Sequence, residues 1–310
     1  MLEAIQLTKT FKNTQAVKGV NLYLEKGETV GLLGPNGAGK STTISMLSSL
    51  VSPTNGDVLL KGESVKDQPQ HLREILGVVP QEIAVFPELT AYENMSFFGK
   101  IYKLPKNELK QRIEEVLTLV GLEQRQKEPV KQFSGGMKRR LNIAVALLHR
   151  PEILIMDEPT VGIDPQSRNY ILETVKKLNE DKGITVLYTS HYMEEVEFLC
   201  QRLYIMDRGE VIASGTKDEV KNILSSEHTI EVEVEKINPA FIEKLEGIPA
   251  ISSVTTLDKK IILLAPKKIN LLEDVFDAAK QTDSPLKGIQ IKAPTLEDVF
   301  LHLTGRKLRD

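Results

Sequence analysis

The chain has 310 residues, enough for two domains, and its 40 Lys and Arg against 43 Asp and Glu leave a formal net charge of −3. With a pI of about 6.1 it lacks the basic surplus of a nucleic-acid binder, so no nucleic-acid partner is expected. No apolar run approaches the roughly 18 residues of a membrane span, the N-terminus MLEAIQLTKTFKN carries charge where a secretory leader needs an apolar core, and the lone Cys200 excludes an intrachain disulfide or a Cys-based zinc site. A cytosolic chain is expected, with Cys200 as a small buried side chain.

In chain order, Phe11 stands alone in the polar segment Thr8 to Thr14; it is either a platform for an adenine ring or an apolar plug between strands. Val20, Leu22 and Leu24 alternate as in an edge-type antiparallel strand, and Gly27 turns the chain into the apolar run Thr29 to Leu33. That run leads into Gly34-Pro35-Asn36-Gly37-Ala38-Gly39-Lys40-Ser41-Thr42, which fits G-x-x-x-x-G-K-[ST] between a strand and a helix. Gly34, Gly37 and Gly39 let the backbone curl so that N–H groups converge on a phosphate, aided by the positive end of the helix that follows. Lys40 would reach the β and γ phosphates, the Ser41 hydroxyl would ligate Mg²⁺, and Thr42 would lie near the α phosphate of a nucleotide.

Pro53 to Gly56 marks a turn before a strand from Asp57 to Leu60, and Gly77-Val78-Val79-Pro80 is a short strand with Gln81 at its tip. Gln81 is there either a ligand-facing group toward Mg²⁺ or water, or an ordinary loop glutamine. From about 88 to 150 the pattern becomes helical: Leu109, Ile113, Val116, Leu117 and Val120 share one face of a helix drawn from Leu109 to Leu122. At its end Phe133-Ser134-Gly135-Gly136-Met137 starts another helix, with Ser134 as N-cap and, in the same geometry, as a hydroxyl beside N–H groups open to an anion. The basic triplet Lys138-Arg139-Arg140 reads as a solvated face. The apolar strand Ile153 to Met156 delivers Asp157 and Glu158, a pair suited to holding Mg²⁺ and polarising a water. A second buried strand, Ile184 to Tyr188, leads to Thr189-Ser190-His191; a lone histidine is ordinarily structural, but at the same edge as Asp157 and Gln81 it suits a sensor of the γ phosphate.

Together these motifs resemble the nucleotide-binding subunit of ATP-binding-cassette transporters over residues 1 to about 225. By that resemblance Gln81 corresponds to the Q-loop, Asp157 and Glu158 to the Walker B pair, Gly162-Ile163-Asp164 to the D-loop and His191 to the switch histidine, with Phe11 where an adenine-stacking aromatic is usual. The signature, normally LSGGQ, is here FSGGM: Phe133 keeps an apolar anchor, Ser134 and Gly136 keep the phosphate-facing positions, and Met137 lacks the usual polar side chain. SGGM followed by basic residues is similar to drug and antibiotic exporters related to daunorubicin- and linearmycin-resistance ATPases. The resemblance implies an ATP hydrolase and translocase using ATP and Mg²⁺, with catalytic Glu158, His191 and Gln81 and with Ser41, Gln81 and Asp157 at the metal. It further implies a head-to-tail homodimer in which Ser134 closes on the partner's ATP. A separate membrane permease would dock around Gln81 and Phe86 to Tyr92, at the cytoplasmic face of the membrane. An importer subunit and a non-transport ATPase are the alternatives.

Residues 226 to 310 read as a separate domain, β-α-β-β-α-β-α, whose order suggests a ferredoxin-like fold. Strands are expected near Thr229 to Val234, Ile251 to Leu257, Lys260 to Leu264 and Gly288 to Lys292, with helices from Pro239, Leu271 and Leu296. The ending Pro294-Thr295-Leu296-Glu297-Asp298-Val299-Phe300, with Thr295 as N-cap, resembles the closing motif of the same exporters. The whole is thus expected to be α/β: a P-loop ATPase core with an antiparallel β subdomain and a helical subdomain, then a small α+β domain without evident chemistry.

Overall fold

The computed structural model describes residues 1–224, 227–257, 259–266, 269, 271–292 and 295–305. By contact the described residues divide into two units, Met1–Ser214 and those from Gly215 to Gly305. The boundary expected between 225 and 226 lies outside the described residues, as does Pro294 of the closing motif.

In the first unit, β1 (Leu2–Phe11) and β2 (Thr14–Leu24) form an antiparallel hairpin, with β2 at the sheet edge as its alternation suggested. Val20, Leu22 and Leu24 are buried because a period of two places them on one face. β3 (Thr29–Leu33) follows, buried at every position, then α1 (Lys40–Leu47). β4 (Asn55–Leu60) and β5 (Glu63–Ser64) complete the four-stranded sheet, in the order β2-β1-β4-β5. α2 (Pro69–Ile75) then leads into β6 (Leu76–Val79).

The helical segment comprises α3 (Ala91–Ile101), α4 (Lys106–Leu119) and α5 (Gly135–Leu147). The face of Leu109, Ile113, Val116 and Leu117 is buried as its spacing required. α4 nevertheless ends before Leu122, because Gly121 takes a left-handed φ of 63° and turns the chain away. β7 (Ile153–Met156), α6 (Pro165–Lys182), β8 (Thr185–Thr189), α7 (Met193–Leu199), β9 (Arg202–Asp207) and β10 (Glu210–Thr216) complete the central sheet, in the order β10-β9-β3-β8-β7-β6. β9, β3, β8, β7 and β6 run parallel, so their C-terminal ends share one edge. Strands covered on both faces read as unbroken apolar runs, which is why β7 could be located from sequence.

The second unit begins with α8 (Lys217–Lys221) and then runs β11 (Glu227–Val234), α9 (Pro239–Glu246), β12 (Ser253–Leu257), β13 (Lys260–Pro266), α10 (Leu272–Gln281), β14 (Leu286–Lys292) and α11 (Leu296–Thr304). Its sheet has the order β12-β13-β11-β14 with every pair antiparallel, the split β-α-β arrangement of a ferredoxin-like fold. Ile230, Val232 and Val234 face Phe241, Leu245, Leu263 and Val275 in one apolar core.

The closing motif has a local physical reason. Thr295 and Asp298 form a reciprocal capping box at the start of α11, and the Asp298 carboxylate also accepts a bond from the Thr229 hydroxyl at 3.0 Å, tying α11 to β11. Phe241 is wholly buried in the core of this unit. Phe241→Ala is expected to lower the unit's unfolding free energy by about 3–5 kcal/mol. Denaturant unfolding of the full chain checks this, and an unchanged midpoint for that transition contradicts the packing described.

Candidate functional site

Three loops at the common edge of the central sheet meet the phosphate-binding loop. Gly34 to Gly39 leaves β3, Gln81 follows β6, Asp157 and Glu158 follow β7, and His191 lies two residues past β8. Parallel pairing places these tips together although the sequence separates them, since Val79 lies opposite Met156 and Met156 opposite Tyr188.

The loop's glycines answer to two different constraints. Gly37 and Gly39 have φ of 80° and 100°, left-handed values that a side chain disfavours. Gly34 has no such conformation; a Cβ there would lie 2.5 Å from the Met206 carbonyl oxygen and 2.9 Å from the Ala38 Cβ, so close approach explains it. Gly209, which sequence reasoning passed over, matters for the same reason: its Cβ would meet the Ala16 carbonyl at 2.8 Å, and its N–H donates to Ala38 O at 3.0 Å. The only sequence signal was a glycine in a short turn between two strands. Pro35 and Ala38 are buried beneath the loop, whereas Asn36, Gly37 and Ser41 are exposed and Thr42 is half-buried on the first turn of α1.

Glu158 gathers the rest. It is 5% exposed and adopts a left-handed φ of 47°, an uncommon backbone state for a residue with a Cβ. Its carboxylate lies 3.0 Å from His191 Nδ1 and 3.6 Å from Lys40 Nζ, and it accepts a hydrogen bond from Gln81 Nε2 at 3.0 Å. Burial alone would push this carboxyl up, but the bond and charge of His191, with the charge of Lys40, outweigh it and hold the carboxyl below its usual range. It is therefore an ionised acceptor near neutrality. Lys40 Nζ also donates to the carbonyls of Gly34 at 2.7 Å and Pro35 at 3.3 Å.

Thr189, unassigned from sequence, fixes the carboxylate pair. Its hydroxyl donates to Asp157 Oδ1 at 2.9 Å and accepts from the Glu158 N–H at 2.8 Å. The groups expected at a metal, the Ser41 hydroxyl, the Gln81 amide oxygen and the Asp157 carboxylate, are hard oxygen donors. Among the described residues no cluster of three His, Cys, Asp or Glu could hold an ion alone. Such a set suits Mg²⁺ that takes its other ligands from phosphate oxygens and water.

Gln81 is an exposed loop residue whose amide donates to Glu158, and Phe11 is not a plug: at 48% exposed it offers a ring face, with Lys9 Nζ 5.2 Å from its centroid. The basic triplet is not a solvated face either. Arg139 is buried and donates to the carbonyls of Pro80 at 2.8 Å and Gln81 at 2.6 Å, and Arg140 donates to Val120 O at 3.0 Å. Helical spacing turns Arg139 inward onto the strand tip, a contact between residues 58 apart that no local pattern announces. Asn142, one turn further along α5, accepts from the Ala84 N–H at 3.2 Å, so α5 holds the whole Gln81 loop.

Ser134 caps α5, accepting from the Met137 N–H at 3.2 Å, and Phe133 is the buried anchor expected of it. Gly136 is buried against α6, where a Cβ would meet Ser167 Oγ at 2.0 Å. Its lack of a side chain therefore has a packing cause inside this chain.

A family model described as ABC transporter matches residues 17–161. The chain is 50% identical over 312 residues to the linearmycin resistance ATP-binding protein of Bacillus subtilis (strain 168), covering 100% of both. It is 33% identical over 299 residues to a daunorubicin resistance ATP-binding protein of Streptomyces coeruleorubidus, covering 96% of this chain and 93% of that one. Among solved structures, a post-hydrolysis dimer of an ATP-binding cassette bound to ADP and Pi matches with a TM-score of 0.64 and 32% identity, over 70% of this chain and 98% of that one.

Lys40→Ala removes the ammonium group that lies against the Gly34 and Pro35 carbonyls without altering the loop's glycines. A charge-assisted contact contributes about 1.5–3 kcal/mol, so ATP affinity is expected to fall roughly 10- to 100-fold. Equilibrium binding of labelled ATP measures it; unchanged affinity in a folded variant removes Lys40 from the site.

Proposed function

From the ABC transporter family, to which this chain belongs, we propose that it is the ATP-hydrolysing subunit of an exporter that drives a lipophilic drug or antibiotic out through a separate membrane permease. The carrying observation is the convergence of Lys40, Gln81 and His191 on the Glu158 carboxylate. Residues 1–225 act as the cassette and 226–310 as an accessory domain.

The chain is an ATP hydrolase, and its residues divide the work as follows. Phe11 stacks on the adenine, the backbone N–H groups from Gly34 to Thr42 cradle the phosphates, and Lys40 neutralises the β and γ groups. Ser41, Gln81 and Asp157 would hold Mg²⁺, which would supply further neutralisation of phosphate charge. Glu158 accepts a proton from water as its oxygen bonds to the γ phosphorus and the bond to the β–γ bridging oxygen breaks, leaving ADP and phosphate. His191 contacts the γ phosphate and Gln81 orients the water. Two copies pair head to tail, so that the N-terminus of α5 with Ser134 and Gly136 closes on the partner's ATP.

Support for a membrane partner comes from the loop that Arg139 and Asn142 hold. Beside Gln81, Ile83, Phe86 and Phe97 are exposed, and Phe86 and Phe97 meet edge to face at 5.0 Å. Asn94 fixes this patch by accepting from the Phe86 N–H at 2.8 Å and donating to its carbonyl at 3.0 Å. An apolar surface beside the Gln81 loop suits docking of the permease. Among the described residues no helix is long and apolar enough to cross a membrane, consistent with a peripheral subunit at the cytoplasmic face.

Glu158→Gln is expected to keep ATP binding and lose hydrolysis by roughly 10²–10⁴-fold, the usual share of a general base. Phosphate release measured with Mg-ATP tests it, and near-normal turnover means that another group activates the water. For cargo, the resistance named for two relatives supports an antibiotic, and a lipophilic one already in the bilayer would reach the permease without a solute-binding protein. Deleting the gene should lower the inhibitory concentration of at least one lipophilic antibiotic, and the Glu158→Gln form should not restore it. A strain that gains no sensitivity but loses uptake of a nutrient or ion refutes the exporter reading in favour of an importer.

A further inference from the structure

Glu195 takes no part in the chemistry above, yet it is 0% exposed. A carboxylate without water is costly unless its oxygens are matched by donors and charge. Here they are. One oxygen, Oε2, accepts from Thr160 Oγ1 at 2.9 Å, Tyr188 OH at 2.9 Å and Ser190 Oγ at 2.6 Å, while Oε1 lies 2.6 Å from Arg168 Nε.

These four partners come from the segments that flank the reacting groups. Thr160 is two residues past Glu158; Arg168 is on the first turns of α6, just after the Gly162-Ile163-Asp164 loop; Ser190 immediately precedes His191. The Ser190 hydroxyl, while donating to Glu195, also accepts from the Tyr192 N–H at 2.9 Å and so closes a turn around His191. The Arg168 guanidinium, on its other side, lies 4.2 Å from the centroid of the Tyr192 ring. The residues on both sides of His191 are therefore fastened to one buried carboxylate, which is fastened in turn to both ends of the loop between Glu158 and α6.

We propose that Glu195 is a positioning residue that sets the place of the His191 ring against Glu158 and couples it to the 162–164 loop. The catalytic consequence rests on the reading of His191 given above; the positional one does not. If the Glu195 carboxylate is lost, the Ser190 hydroxyl loses its acceptor and the turn around His191 is no longer held, so the 3.0 Å contact between His191 and Glu158 loosens.

Glu195→Gln keeps the shape but removes the charge and puts a donor among donors. The test uses the full chain and reads the His191 ring resonances by NMR, assigned by their loss in His191→Ala, together with ATP affinity and kcat. Expected are a shifted His191 signal, ATP affinity within about threefold of the parent, and kcat lower by roughly 10- to 100-fold, the scale of a small misplacement of a catalytic group. In a His191→Ala background the same substitution should lower kcat by less than about threefold. An unshifted His191 signal overturns the proposal, as does an equal loss of kcat with and without the histidine. If His191→Ala itself leaves hydrolysis intact, the role given to His191 fails, and the ring resonance alone decides whether Glu195 positions it. Should Glu195→Gln not fold, Ser190→Ala, which deletes one hydroxyl of the same clamp, is held to the same shift in the His191 signal.

Discussion

The site depends on one buried carboxylate. Glu158 is withdrawn from water and held in a left-handed backbone state, and it is stable there because Lys40, Gln81 and His191 surround it. Removing any one of them leaves the charge less compensated, so the phosphate loop, the Gln81 loop and the His191 loop are linked through a shared electrostatic demand. The general-base role proposed for Glu158 needs such an arrangement, since its neighbours set both its ionisation and its aim.

The fold supplies this convergence through the parallel order of β3, β8, β7 and β6, which brings four strand ends to one edge. Close backbone packing sharpens it. Gly34, Gly39 and Gly209 allow the phosphate loop to lie against Met206 and Ala16 at distances no side chain would permit. From the other side, α5 carries Ser134 at its first turn and Arg139 on the Pro80 and Gln81 carbonyls, so the helix that would meet a second copy's ATP also sets the position of Gln81 in its own chain. α5 and the Gln81 loop are thereby tied together, and the exposed patch of Phe86 and Phe97 lies beside that loop.

Much of this was legible in the sequence because it is local. The spacing from Gly34 to Ser41, the apolar run before Asp157 and the alternation of Ile230, Val232 and Val234 each encode their structure within a few residues. The small domain's order could be read for the same reason, down to the Thr295 cap. What escaped was non-local. Arg139 looked like one of three surface charges because its carbonyl partners lie 58 and 59 residues away. Thr189 and Glu195 bond to groups up to 35 residues distant, and no periodicity marks a polar residue that is buried because its partners are buried too. The helix drawn to Leu122 overran because only backbone conformation shows that Gly121 already turns left-handed.

In the proposed function Lys40 faces the β and γ phosphates of a bound nucleotide, which a second copy then closes over. A crystal structure of the Glu158→Gln chain with Mg-ATP tests this most directly. The account predicts Lys40 Nζ moved from the Gly34 and Pro35 carbonyls to the β and γ phosphates, with Ser134 of a second copy at hydrogen-bond distance from the γ phosphate. Lys40 still on those carbonyls, with the triphosphate bound elsewhere, would contradict it.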